Sequence, residues 1–323
     1  MSYIIESFRQ LFGSEPRRPD KSDISPEAKA VHLYKKQNPF DKYSFEVARE
    51  AHTADSKKWR NRRWATLLVV NLLFVVSYYF DIQLLEGALT ASRFMGFHMA
   101  DLNSALQVTL AFKHMVLNLV IGTATVFVLW LLLGGRTFCS WVCPYHLLSE
   151  WAEKLHLYLA GKGWVKDHSF NRKVRSLFYV IFALLALVTG YTVFETISVT
   201  GIVSRALIYG PGMALIWVGL VLLFEVFYSR RAWCRYVCPI GITYGVVGTL
   251  SPVRVKFVLK DCHHEGDCRK VCLVPHVLDM TVKGKAVHTE VDVSADCTRC
   301  GMCVDVCPTN SLRFDIKGLG KHL

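Results

Sequence analysis

The stretch RTFCSWVCP, Arg136 to Pro144, returns further along the chain as RAWCRYVCP, Arg231 to Pro239. Both copies read Arg, any residue, aromatic, Cys, any residue, aromatic, Val, Cys, Pro. Each closes the second member of a pair of apolar windows. The four windows without a charged residue are Trp64 to Phe80, Met115 to Gly135, Leu177 to Phe194 and Ala206 to Phe224. Each is about the length needed to cross a hydrocarbon core of roughly 30 Å. The pattern predicts hairpin, motif, hairpin, motif, with the two halves packed about an axis along the membrane normal. The expected fold is an α-helical membrane protein with a four-helix transmembrane bundle of two hairpin repeats over residues 61–250. A cytoplasmic, partly disordered extension over 1–60 precedes it, and an α+β two-cluster ferredoxin-like domain over 251–323 follows.

Composition agrees with that class. The chain has 323 residues, 52% of them apolar, and a formal charge of +12, and few soluble domains combine the last two. Lys and Arg fall on alternate sides of the windows. KKWRNRRW precedes the first, Arg136, Lys154, Lys162, Lys166, Arg172, Lys173 and Arg175 lie between the second and third, and SRR with Arg235 follows the fourth. The opposite loops offer only Arg93, Lys113 and Arg205. By the positive-inside rule both termini face the cytoplasm of a bacterial inner membrane. Topology accounts for the basic residues, so no nucleic-acid partner is expected. The opening MSYIIESFRQLFG lacks the features of a cleavable signal peptide, and the polar stretch Ser14 to Lys29 reads as a tether.

All eleven cysteines fall in four compact clusters. On the reducing side of a membrane, regular Cys spacing points to metal rather than disulfide. CTRCGMCVDVCP places Cys297, Cys300, Cys303 and Cys307 in the bacterial ferredoxin run, where three thiolates hold one [4Fe-4S] cube and the fourth reaches the neighbouring cluster. CHHEGDCRKVC supplies Cys262, Cys268 and Cys272 in the same register, with Glu265 in the slot of the missing cysteine. One cluster would take Cys297, Cys300, Cys303 and Cys272, and the other Cys262, Cys268 and Cys307. Glu265, His263 and His264 are candidates for the eighth ligand, and a [3Fe-4S] cluster is the alternative to a non-Cys ligand. The alternating stretch TVKGKAVHTEVDVS, Thr281 to Ser294, predicts a β-hairpin between the motifs.

If the repeats pack as expected, Cys139, Cys143, Cys234 and Cys238 come near one another at the cytoplasmic surface. Four thiolates there would serve a metal or cluster, two dithiol pairs, or helix capping, and spacing alone leaves the three open. Arg136 and Arg231 read first as positive-inside anchors, with lowering of thiol pKa and compensation of cluster charge as the functional alternative. Glu225 reads as snorkelling to the interface, with proton handling as the functional alternative. Lys113, His98 and His114 are weaker outer-side candidates.

These residues resemble the NosR, NapH and CcoG group of polytopic ferredoxin-type proteins, and NapH in particular. The resemblance covers both C-x-x-x-C-P motifs, the four windows and the terminal ferredoxin, about residues 60–315. It implies two cytoplasmic [4Fe-4S] clusters and a quinol dehydrogenase drawing on the quinone pool of the lipid bilayer. It also implies a periplasmic iron–sulfur partner of the NapG type and delivery of electrons to a periplasmic, nitrate-type reductase. Glu265 and the long N-terminal extension depart from the pattern. The rival reading is a maturation factor for a redox metalloenzyme, of the NosH, MauN or CcoG kind.

Overall fold

In the computed structural model, which describes residues 3–20, 22–38, 57–81, 85–89, 91–94, 96–114 and 116–317, the two motif copies occupy equivalent places in two similar helical series. The extension contributes α1 (Tyr3–Leu11) and α2 (Pro26–Gln37). The first series is α3 (Lys58–Tyr79), a meander of β1 (Leu85–Ala88), β2 (Ala91–Phe94) and β3 (Phe97–Ala100), then α4 (Leu102–Phe112), α5 (Leu117–Leu133), α6 (Thr137–Trp141) and α7 (Pro144–Gly161). The second is α8 (Lys173–Thr189), α9 (Val193–Ile197), α10 (Val199–Tyr209), α11 (Leu215–Phe227), a π-helical turn (Trp233–Val237) and α12 (Ile240–Leu250).

Local chemistry sets these boundaries. Asp101 caps α4 by accepting from the backbone N–H groups of Asn103 and Ser104, and Ser198 caps α10 through Gly201. Gly134 and Gly190 end α5 and α8 in the left-handed conformation. Pro144 starts α7, where its missing N–H costs no hydrogen bond.

The four apolar windows coincide with α3, α5, α8 and α11, but the helices are shorter than the windows or less apolar. Among the described residues no helix is long and apolar enough to cross a membrane. The reasons lie in the breaks: α5 and α8 stop at their glycine caps after 17 residues each. Pro211 and Gly212 delay α11, which keeps 13 residues, and the 22-residue α3 carries Arg60, Arg62 and Arg63. What stands is a mostly helical protein with a terminal ferredoxin unit.

That unit contains β4 (Val253–Val258), α13 (Asp267–Val271), a 3-10 helix (Pro275–Thr281), β5 (Glu290–Asp292), α14 (Met302–Asp305) and β6 (Leu312–Ile316). The sheet order is β5-β4-β6, all antiparallel, with Lys256 opposite Asp292 and Phe257 opposite Leu312. The expected hairpin over Thr281 to Ser294 does not form. Only Glu290–Asp292 is strand, and it pairs with β4 rather than with its own neighbour. The residues before it are held elsewhere: the Ser25 N–H donates to the Val287 carbonyl, and the His32 ring lies 3.1 Å from the Ala286 carbonyl.

Those contacts also correct the reading of the extension as a tether over its described part. Lys35 donates to the carbonyls of Leu259 and Cys262, each at 2.5 Å, and Leu11 is buried against Gly245. The partly disordered segment was expected within 1–60, of which 39–56 lie outside the described residues.

Candidate functional site: three cysteine-lined cavities

The eleven cysteines are free thiols that line three cavities. Cys272, Cys297, Cys300 and Cys303 share one, walled by Val255, Val277 and Leu278. The Arg299 backbone N–H donates to the Cys297 sulfur at 3.4 Å, the kind of contact that tunes a bound cluster. Gly301 turns the loop at φ +77°, and a side chain there would meet Trp59 of α3 at 2.5 Å.

Cys262, Cys268 and Cys307 line a second cavity together with His263, His264 and Glu265. The His264 N–H donates to the Cys262 sulfur at 3.3 Å. Its Nδ1 sits 2.8 Å from the Thr281 carbonyl, and His263 and Glu265 lie 3.6 Å apart. All three candidates for the eighth ligand therefore border the same space.

The third cavity is lined by Cys139 and Cys143 from one motif copy and Cys234 and Cys238 from the other. Its remaining wall is strongly basic, with Arg136, Arg172, Arg175, Arg231, Arg235, His146 and His276. Val274 and Thr298 line this cavity and that of Cys272 and Cys297 alike. The Ser140 hydroxyl donates to the Thr298 carbonyl at 2.7 Å, and the Trp141 indole donates to the Arg299 carbonyl at 3.0 Å. Thus α6 is stitched to the ferredoxin loop.

Burial pushes the thiols of Cys143, Cys268 and Cys297 up to about 11. Such thiols are neutral and unreactive when free, and a bound metal is what deprotonates them. Among the described residues no three His, Cys, Asp or Glu side chains are placed to hold one metal ion. Cysteines spread around a cavity instead suit a polynuclear cluster, and the ferredoxin sets fit that group.

Charge assignments change in the folded chain. Arg136 and Arg231 are 4% and 3% exposed, so they are not interface anchors. Arg136 pairs with Asp296, and Arg231 donates to Glu153 at 2.5 Å. Glu225, 1% exposed, does not snorkel. It accepts from the Ser149 hydroxyl at 2.7 Å and from the Trp233 N–H at 3.1 Å, and so fixes the turn that carries Cys234. Lys113 and His114 are exposed, and Arg93 donates to the His98 ring at 2.8 Å.

Asp296 is the residue sequence reasoning missed. It accepts from Arg136 and Arg175, lies 3.6 Å from Arg172, and meets the His276 ring at 2.7 Å. Burial opposes its charge, but Arg175 and Arg136 hold its carboxyl well below the usual carboxylate range. No local spacing signals it, because the arginines that it binds lie over a hundred positions away.

The 4Fe-4S binding domain family matches residues 115–165 and 209–257, one match per motif copy, and a second 4Fe-4S binding domain family matches residues 291–313. The ferredoxin-type protein NapH of Haemophilus influenzae is 30% identical over 267 residues, covering 80% of this chain and 91% of its own. The chain belongs to the NapH/MauN family of ferredoxin-type 4Fe-4S proteins. Within that family it is as similar to the methylamine utilization ferredoxin-type protein MauN of Methylorubrum extorquens, 30% identical over 264 residues, covering 81% of this chain and 90% of its own. MauN of Paracoccus denitrificans is 32% identical over 216 residues, covering 66% and 75%. No solved structure matches the chain. Membership in the NapH/MauN family makes it an iron–sulfur electron-transfer protein.

Proposed function

We propose that the chain is the membrane subunit of a quinol dehydrogenase, taking electrons from quinol for delivery to a periplasmic, nitrate-type reductase through a NapG-like iron–sulfur partner. The observation that carries the membrane part is the outward face of the helical body. Leu68 and Leu72 on α3, Val120 and Val128 on α5, Leu177 and Leu184 on α8, and Ile216, Leu220 and Leu223 on α11 are all exposed. Apolar patches of this extent mark a membrane or a partner rather than water. Seventeen helical residues span about 25 Å, close to the hydrocarbon thickness once flanking residues are included.

Iron–sulfur clusters supply single-electron chemistry, which splits the two electrons of a quinol into separate steps. The chain's own residues supply position and shielding. Cys272, Cys297, Cys300 and Cys303 would hold one cluster, with Val277 and Leu278 excluding water from it. Cys262, Cys268 and Cys307 would hold the other, completed by a side chain of the loop His263 to Glu265 or left at three irons. The membrane in this proposal is the bacterial inner membrane, with both termini cytoplasmic.

The equal similarity to MauN, a methylamine utilization protein, favours a second reading as a maturation factor for a redox enzyme. Anaerobic purification in detergent followed by a reduced menaquinone analogue separates the two. Reduction of the clusters, read by absorbance and EPR, is the expected result. Reduction by dithionite but not by the quinol would overturn the dehydrogenase reading in favour of maturation.

A further inference from the structure

Each match of the 4Fe-4S binding domain within the helical body contains only two cysteines, Cys139 and Cys143 in one and Cys234 and Cys238 in the other. Two thiolates are half of what a cubane cluster requires. The fold brings the halves together, since all four line one cavity between the repeats.

The local backbone prepares both halves alike. Cys143 is the cap of α7, and the His146 N–H donates to its backbone carbonyl at 3.1 Å. Cys238 stands likewise just before α12. Helix N-termini are the places where backbone amides gather around negative charge. The Thr200 hydroxyl, near the start of α10, adds a contact to the Cys143 sulfur at 3.3 Å.

The side-chain electrostatics call for an anion. Arg136, Arg172 and Arg175 gather around the single carboxylate of Asp296, so positive charge is in excess at the cavity wall. Among the described residues, the buried Arg136 Nε, Arg231 Nη2 and Trp233 Nε1 atoms of that wall have no hydrogen-bond partner. A buried unsatisfied donor costs about 1–3 kcal/mol, and bound sulfur atoms with net negative charge would relieve both features. A single ion does not suit the spread of the four sulfurs, and the ferredoxin cysteines show the same spread around their own cavities.

We propose that Cys139, Cys143, Cys234 and Cys238 jointly hold a third iron–sulfur cluster, shared between the two repeats and collared by Arg136 and Arg231. The site rests on the iron–sulfur reading above. It adds a centre beside the one at Cys272 and Cys297, since Val274 and Thr298 border both cavities.

The test is iron and acid-labile sulfide per chain in the full-length protein, purified anaerobically, with EPR and Mössbauer spectra of the reduced and oxidised states. The wild type is expected to hold about eleven to twelve iron atoms rather than about eight. The double variant Cys139→Ser, Cys234→Ser should lose about a third of the iron while the ferredoxin signals persist. Wild-type iron of about eight, zinc in place of the missing iron, or undiminished iron in the double variant would overturn the third site. If the double variant loses every signal through misfolding, the wild-type count still decides. Cys300→Ser separates this failure from that of the broader reading. Loss of about four iron atoms there, with about eight in the wild type, leaves the ferredoxin clusters standing and removes only the third. Absence of iron from every variant and from the wild type would remove both.

Discussion

Arg136, three residues before Cys139, donates to the carboxylate of Asp296 and, at 2.6 Å, to its backbone carbonyl, one residue before Cys297. One guanidinium therefore locks the first motif copy to the ferredoxin loop. Both partners are buried, and stranding a buried charge typically costs about 3–5 kcal/mol, but loss of Arg136 leaves Asp296 paired with Arg175. Asp296→Asn is expected to be worse than Arg136→Met, because it strands Arg136, Arg172 and Arg175 together. Thermal unfolding midpoints of the two variants check the order. A smaller loss in Asp296→Asn would refute it.

The loop His263 to Glu265 gives a second expectation. His264 already approaches the Cys262 sulfur, with Nδ1 at 3.8 Å, and imidazole suits cluster iron better than carboxylate does. His264→Ala should therefore lower the iron of the first ferredoxin cluster, whereas Glu265→Ala and His263→Ala should leave it near the wild-type value. Iron analysis with EPR for a [3Fe-4S] signal reads the difference. Unchanged iron in all three variants would rule out a side-chain ligand from this loop.

His276 predicts a pH dependence. Burial, aided by Arg172 and Arg175, pushes the imidazole down to about 4 against the pull of Asp296. Between its ordinary value of 6.5 and 4 the unfolded chain binds the proton and the folded one does not. Stability therefore falls as pH drops through that window and levels off below it. In His276→Gln the slope between pH 6.5 and 4 should flatten, as measured by unfolding midpoints at several pH values. A slope equal to that of the wild type would assign the acid sensitivity to other groups.

Gly301 and Gly284 share a positive φ but not their surroundings. An added methyl at Gly301 meets Trp59, while Gly284 has open space around it. Gly284→Ala should cost about 1–2 kcal/mol of backbone strain. Gly301→Ala should cost about 1–3 kcal/mol more, because Trp59 also packs on Phe314 with ring centroids 4.5 Å apart. Equal losses of unfolding temperature would mean that Trp59 yields freely.

The cysteine arithmetic was legible because cluster ligation acts through short spacings along the chain. The repeat was legible for the same reason, and it pointed to a meeting of Cys139, Cys143, Cys234 and Cys238. What failed were readings of single charges. Arg136, Arg231 and Glu225 were assigned from distance to an apolar window, yet each is decided by a partner brought in by tertiary packing. The alternation over Thr281 to Ser294 failed similarly, since β4 and α2 compete for its backbone groups. Helix length was overestimated because charge-free windows run through Gly134, Gly190 and Pro211, where the backbone turns.

The docking of the first helix has a consequence for the order of assembly. The Ser294 hydroxyl donates to the Gln10 side chain across 284 positions, the Ala295 N–H donates to the Ser7 hydroxyl, and Arg175 donates to the Leu11 carbonyl. Ser7 and Gln10 thus wait for residues 294 and 295 before they find these partners, a closure that long-range contacts make slow.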